Sequence, residues 1–155
     1  APDAPPGNGS IFIQSGQDLS ALSGAIIINP RPAPLRAELN VNGRAFRSGD
    51  LMVLRASLDN LNGREQPADA YLSLDCPNGG GRQYWTGRGL DPRAVPFAQG
   101  VTVPARAYET AIELLRGVIP PGLASGTCRW VLELRAPGTG TLIGEAAVAE
   151  FRLTP

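Results

Sequence analysis

Two cysteines, Cys76 in "SLDCPNGGGRQYW" and Cys128 in "GTCRWVLEL", are the residues of this 155-residue chain best suited to chemistry. A pair of thiols can serve as a redox couple, a metal site or a covalent staple. Two cysteines without a histidine do not supply a closed tetrahedral metal shell. A redox couple favours Cys-x-x-Cys spacing in an electropositive setting, and neither is present. A structural disulfide is the reading that remains, and it implies an oxidising compartment: periplasm, cell surface or medium.

The other chemistry-bearing residue types are sparse. All 14 basic residues are arginine, with no lysine and no histidine. A serine–histidine triad, a Ser–Lys dyad, a Schiff-base lysine, a P-loop lysine and a histidine metal ligand are therefore impossible within this chain. Paired carboxylates remain available in principle, yet Glu38, Glu133 and Glu150 fall on the polar phase of their segments, where solvated surface is expected. No catalytic residue, no cofactor and no metal site is assigned, and the expectation is a protein that is not an enzyme.

Some local stretches invite a functional reading. Asp59–Glu65, "DNLNGRE", has the outline of a calcium loop, but Leu61 stands where an oxygen ligand is needed. "PNGGGRQYW" is glycine-rich but lacks a lysine and a following helix to cradle phosphate, so a hairpin turn is expected. Tyr84 and Trp85 are strand neighbours that point to opposite faces, which predicts one buried and one exposed ring. An exposed ring beside Arg82 or Arg88 could stack on a sugar or a partner; packing in the core is the plainer role. Asn8–Ser10, "NGS", matches a glycosylation acceptor at Asn8. Formal net charge is zero, so no long-range field gathers nucleic acid or anionic lipid. The longest apolar run, "GAIII", is far too short to span a membrane. The opening "APDAPPGNGS" reads as a mature, processed start or a polar linker.

The elements that must position these residues show period-2 alternation from residue 35 onward. Leu35, Ala37, Leu39 and Val41 share one face, as do Met52, Leu54, Ala56 and Leu58. Ala70, Leu72, Leu74 and Cys76 align, then Cys128, Trp130, Leu132 and Leu134, then Ala147, Ala149, Phe151 and Leu153. "YETAIELL" aligns Tyr108, Thr110, Ile112 and Leu114, with a helix as the competing reading. Turn signals separate these runs: "VNGRAFRSGD", "NLNGREQP", "CPNGGG", "IPPGLASG" and "APGTGT". Six or seven strands with one apolar face each must pack sheet on sheet. The fold class expected is all-β: an immunoglobulin-like antiparallel β-sandwich over residues 35–155, preceded by an N-terminal extension, residues 1–34.

Within that frame Cys76 ends one strand and Cys128 begins another, both on the apolar face. If the two strands run antiparallel side by side, the sulfurs meet. In the extension, "SIFIQSG" and "GAIIINPRPAP" are short β-prone pieces. They either add strands to the sandwich or complete a neighbouring subunit by β-strand addition, with Ile11, Phe12, Ile13, Ile26, Ile27 and Ile28 as donor anchors.

The succession "FRSGDLMVLRASLDN", "DAYLSLDCPNGG" and "LLRGVIPPGLASGTCRWVLELRAPGTGTLIGEAAVAEFRL" resembles an Ig-like module recurrent in bacterial secreted and cell-surface proteins. The likeness runs from Leu35 to the end and rests on turns and core positions, which specify fold better than function. Cys76 and Cys128 depart from the module's pattern. Their pairing also differs from the antibody bridge, which joins the two sheets. The resemblance implies an extracellular, non-catalytic module. The functional expectation is a structural or interaction protein, a subunit or module of a cell-surface assembly, filamentous if joined by β-strand addition. Its partners are proteins, through self-association or a larger surface assembly. An extracellular polysaccharide-binding module using Tyr84 or Trp85 is the alternative, with a glycan as ligand. A hydrolase inhibitor presenting "GRGLDPRAVPF" comes third.

Overall fold

In the computed structural model, residues 35–107 and 111–155 are described in full, and Gly7–Ser15, Asp18–Ile28 and Thr110 by backbone alone. The chain divides into two compact units, Ala1–Ala33 and Pro34–Pro155. In the first unit, β1 (Gly7–Ser15) and β2 (Asp18–Ile28) pair with each other as an antiparallel hairpin.

Among its described residues the second unit is an all-β sandwich of ten strands rather than six or seven. They are β3 (Leu35–Val41), β4 (Ala45–Phe46), β5 (Leu51–Asn60), β6 (Gln66–Asp75), β7 (Gln83–Trp85), β8 (Leu90–Asp91), β9 (Ala98–Val103), β10 (Thr110–Val118), β11 (Gly126–Arg135) and β12 (Ala147–Leu153). The smaller sheet has the order β10-β5-β3, and the larger runs β4-β12-β11-β6-β7-β8, with β9 also pairing β6. All pairs in the sandwich are antiparallel except β4–β12, which is parallel.

The alternation expected for the long strands is present in space. In β12, Ala147, Ala149, Phe151 and Leu153 are buried and the residues between them exposed, and β11 buries Cys128, Trp130, Leu132 and Leu134. These faces meet Leu35, Leu39, Met52, Leu54, Ala56 and Leu58 of the smaller sheet in one core. The Trp130 indole N–H reaches across the core to Met52 Sδ at 3.4 Å, which puts β11 opposite β5. An indole donor buried without a partner would carry a desolvation cost, and the only methionine in the chain supplies a polarisable acceptor.

β10 departs from the simple pattern. It is a strand, so the helical reading of "YETAIELL" does not hold. Its pairing with β5 slips between Glu113 and Leu115, leaving Leu114 as the extra residue of a bulge. Beyond the bulge Leu115 lies opposite Leu54 and Gly117 opposite Met52, so these take the inward positions. Ile112 stands opposite the buried Ala56, yet remains 40% exposed at the sheet edge. Tyr108 lies outside the described residues.

The segment "VNGRAFRSGD" is more than a turn, since it contains β4. Phe46 is buried there edge-on to Phe151, with ring centroids 5.9 Å apart. Three residues later the chain reverses at Gly49, whose φ of 90° is left-handed. The Arg47 N–H donates to Asp50 Oδ2 at 2.7 Å, and the Gly49 N–H donates to the Ile119 carbonyl at 2.9 Å. A Cβ at Gly49 meets no atom within 4 Å, so the constraint there is conformational. Gly49→Ala is expected to destabilise the fold by about 1–2 kcal/mol, seen as a lower urea midpoint at unchanged m-value.

Candidate functional site

The bridge and the rings converge on one apolar cleft. Cys76 and Cys128 are bonded, with their Cα atoms 4.4 Å apart. The ladder just beyond pairs Arg129 with Asp75, so the cysteines are directly opposed neighbours within the larger sheet. A Cα separation this short marks a non-hydrogen-bonded pair of an antiparallel ladder, where facing side chains lie closest. Arg129 braces the same junction by donating from Nε and Nη2 to Asp75 Oδ2, at 3.1 and 2.8 Å.

The cleft, about 630 Å³, opens beside this bridge. Its floor comprises the disulfide, Leu74, Trp130 and Met52. One wall is the end of β10, from Leu115 to Val118; the facing wall is Trp85 of β7 and Leu90 of β8, which are register partners. Loops at 77–81 and 119–126 close the ends. The rim carries Val118, 63% exposed, with Leu123 and Leu90 also exposed.

Sheet widths explain the opening. β3 packs against β12 and β5 lies over β11, which carries β10 over β6 and leaves β7–β8 projecting beyond the smaller sheet. Among the described residues β10 is an edge strand paired only by β5. A sandwich that covered Trp85 and Leu90 would need one further strand beside β10.

Among the described residues the cleft has one charged lining residue, Arg116, and it is paired. Arg116 donates to Glu113 through Nε and Nη2, both at 2.9 Å, and Arg55 lies 3.7 Å from the same carboxylate. The hydrogen bonds from Arg116 hold the Glu113 carboxyl below its ordinary pKa. The charge of Arg116 at the rim is therefore met by Glu113.

Tyr84 and Trp85 do point to opposite faces, but both are half-buried rather than one buried and one exposed. Trp85 packs on the core from β7, a short strand between β6 and β8, and the open cleft leaves part of its ring uncovered. Tyr84, paired with Ser73, lies on the outer face of the sheet. Arg82 is engaged with Glu133 at 3.5 Å. The stacked cation is elsewhere: the Arg135 guanidinium lies 4.7 Å from the centre of the Tyr71 ring. Glu133, expected on a solvated face, has a side chain only 15% exposed because Arg135 and Arg82 both cover it.

The calcium-like loop is tied up from within. Asn60 is fully buried, and its Nδ2 donates to the carbonyls of Arg64, Val103 and Pro104 at 3.0, 3.2 and 2.9 Å. Its Oδ1 accepts the Asn62 N–H at 3.0 Å. No cluster of three or more His, Cys, Asp or Glu residues suited to a metal occurs among the described residues. The segment 87–97 includes β8, and there Asp91 accepts from the backbone and guanidinium of Arg93, fixing a local turn. Those hydrogen bonds hold the Asp91 carboxyl below its ordinary pKa. Ile11, Phe12 and Ile13 lie on β1, with Asn8, and Ile26, Ile27 and Ile28 on β2; their side chains fall outside the described residues. No described helix is long and apolar enough to cross a membrane.

No protein-family model matches the chain, and no curated protein matches it. Solved structures do. The Pseudomonas fluorescens alkylpurine DNA glycosylase AlkC aligns at a TM-score of 0.52 and 14% identity, over 79% of this chain and 31% of that one. The chain thus spans about a third of the glycosylase's length. AvmM, which catalyses macrocyclization in alchivemycin A biosynthesis, aligns at 0.51 and 13% identity, over 95% of this chain and 97% of that one. A CARDB domain of the PF1109 protein from Pyrococcus furiosus gives 0.46 and 13% identity, over 79% and 90%. At such identities the likeness is one of fold, and the fold is an all-β sandwich.

Proposed function

We propose that the chain is a non-catalytic, exported interaction module that builds a cell-surface assembly by edge-strand association. The observation that carries this reading is the apolar cleft beside the unpaired edge of β10, where the larger sheet outreaches the smaller one. An edge strand offers a row of backbone donors and acceptors, and the cleft offers pockets for alternate side chains of an added strand. The disulfide keeps the floor of that acceptor fixed and is consistent with an oxidising destination. The N-terminal unit supplies the complementary part, a hairpin of uncharged, β-prone residues around Ile11–Ile13 and Ile26–Ile28.

Trp85 on the cleft wall favours a second reading, a polysaccharide-binding module, because a sugar ring stacks on such a surface. The rest of the lining argues against it. Sugars need several convergent polar groups, whereas this floor is aliphatic, aromatic and sulfur. A glycan array with the wild type and Trp85→Ala separates the two: binding lost with the ring would install the sugar reading.

Removing residues 1–34 tests the assembly reading directly. The sandwich has its own core, so the truncated protein is expected to keep its cooperative unfolding. Negative-stain electron microscopy should show filaments or large regular particles for the full chain and none for the truncation. Assemblies unchanged by the deletion would remove the extension from the mechanism.

A further inference from the structure

Gly117 is an unusual residue to find at an inward position of an edge strand. It lies opposite the buried Met52, between Leu115 and Ile119, which both pack on the core. A Cβ built there meets nothing within 4 Å, so the position opens into the cleft as an unfilled socket. Glycine inside a strand often marks a close approach by another group.

The hairpin contains a segment that fits. In "LSGAIII", Leu22 to Ile28, there is not a single charge, and beyond the irregularity that separates it from Leu22 the stretch Ile26–Ile28 pairs in regular register, which places Ile26 and Ile28 two apart on one strand phase. The corresponding faces of β1 offer only Ile11 with Ile13, or Phe12. β2 pairs with β1 along one edge, so its other edge can extend the ladder of β10 without opening the hairpin. The mutually neutralised Arg116 and Glu113 set no charge against it.

The chain's reach bears on whose strand it is. Leu35 pairs with Asn60 at one end of β5, while Gly117 pairs with Met52 near the other end. Eight residues of β5 separate these points, about 27 Å along the strand at ~3.4 Å per residue. A strand beyond β10 lies three strand spacings from β3, a further ~14 Å across. The straight-line separation is therefore about 30 Å and passes through the sandwich. Nine residues join Ile26 to Leu35, and fully extended they reach only about 30–32 Å. Reach and separation are about equal, so a chain's own Ile26 has no slack to spare, whereas a second copy is free of that tether.

Resting on the assembly reading above, we propose that the cleft receives the strand Leu22–Ile28 of a second copy, paired edge to edge with β10 and seating Ile26 over Gly117. The test uses the full-length chain in three forms: wild type, Gly117→Leu, and an equimolar mixture of Gly117→Cys with Ile26→Cys. Gly117 is outside the left-handed region and its Cβ has space, so Gly117→Leu should keep the wild-type melting temperature. Sedimentation velocity over a concentration series should show self-association of the wild type, weakened at least tenfold in Gly117→Leu. The cysteine mixture should oxidise to a species joining one chain of each kind.

Wild type and Gly117→Leu associating equally would overturn the socket while leaving the assembly reading intact. A chain carrying both cysteines that closes on itself as a monomer would show the strand is its own. A wild type that stays monomeric at every concentration defeats the assembly reading, and the socket with it.

Discussion

Replacing Cys76 and Cys128 by a serine pair is expected to lower stability by more than the loop-closure entropy for the 52-residue separation, about 4 kcal/mol. The loss should exceed that figure, because one new hydroxyl would sit at the fully buried Cys128 position beside Trp130, away from water. Urea unfolding in the presence and absence of a thiol reductant measures the effect on the wild type itself. Reduction of the wild type should shift the midpoint nearly as far as the double substitution. An unchanged midpoint after verified reduction would mean that the paired strands, β6 and β11, need no covalent help. The result bears on function, because the bridge forms the floor of the cleft that an incoming strand would occupy.

Asn60→Asp should be as damaging, although it changes one amide to a near-isosteric carboxylate. The amide holds its buried place by donating to three carbonyls, those of Arg64, Val103 and Pro104. A carboxylate cannot donate, and would face the same three oxygens with a negative charge out of water. A cost of about 3–5 kcal/mol at neutral pH is expected, comparable to leaving a buried charge uncompensated. Burial and the facing carbonyls raise the folded pKa of the introduced carboxyl above its unfolded value. The penalty is therefore complete above the folded pKa and is relieved as pH falls toward ~4, the unfolded value. Stability measured against pH should show the variant approaching the wild type in mild acid. It should not reach it, since a protonated carboxyl offers one donor where the amide offers two. A pH-independent deficit would assign the loss to shape alone.

These residues show what could be read from sequence and what could not. Five long strands, β3, β5, β6, β11 and β12, were legible because each alternates over seven residues or more against a single core. The disulfide was legible for the same reason, since both cysteines hold the apolar phase at the facing ends of neighbouring strands. β7 and β8 were not, because strands of two or three residues set among glycine-bearing turns carry no period to detect. β9, though longer, is largely exposed and lacks an apolar face.

The bulge at Leu114 was hidden as well, since consecutive leucines satisfy either phase. Asn60 did leave a signal. It continues the inward phase of Met52, Leu54, Ala56 and Leu58, so a polar residue stands where the pattern asks for an apolar one. Taken with the loop that follows, it was read as a turn. The cleft could not have been foreseen, because it arises from the unequal widths of two sheets rather than from any residue's type.

The position of the bridge also determines how the module would behave under tension. Cys76 and Cys128 staple nearest neighbours, so everything between them, β7 to β10 included, is a closed loop that a pull on the two termini cannot straighten. The 52 residues of that separation would otherwise yield roughly 170–190 Å of slack. A thread of such subunits, tugged at its ends, would lengthen only by the segments outside the staple. The acceptor cleft, where a neighbour's strand would deliver that load, would keep its floor stapled.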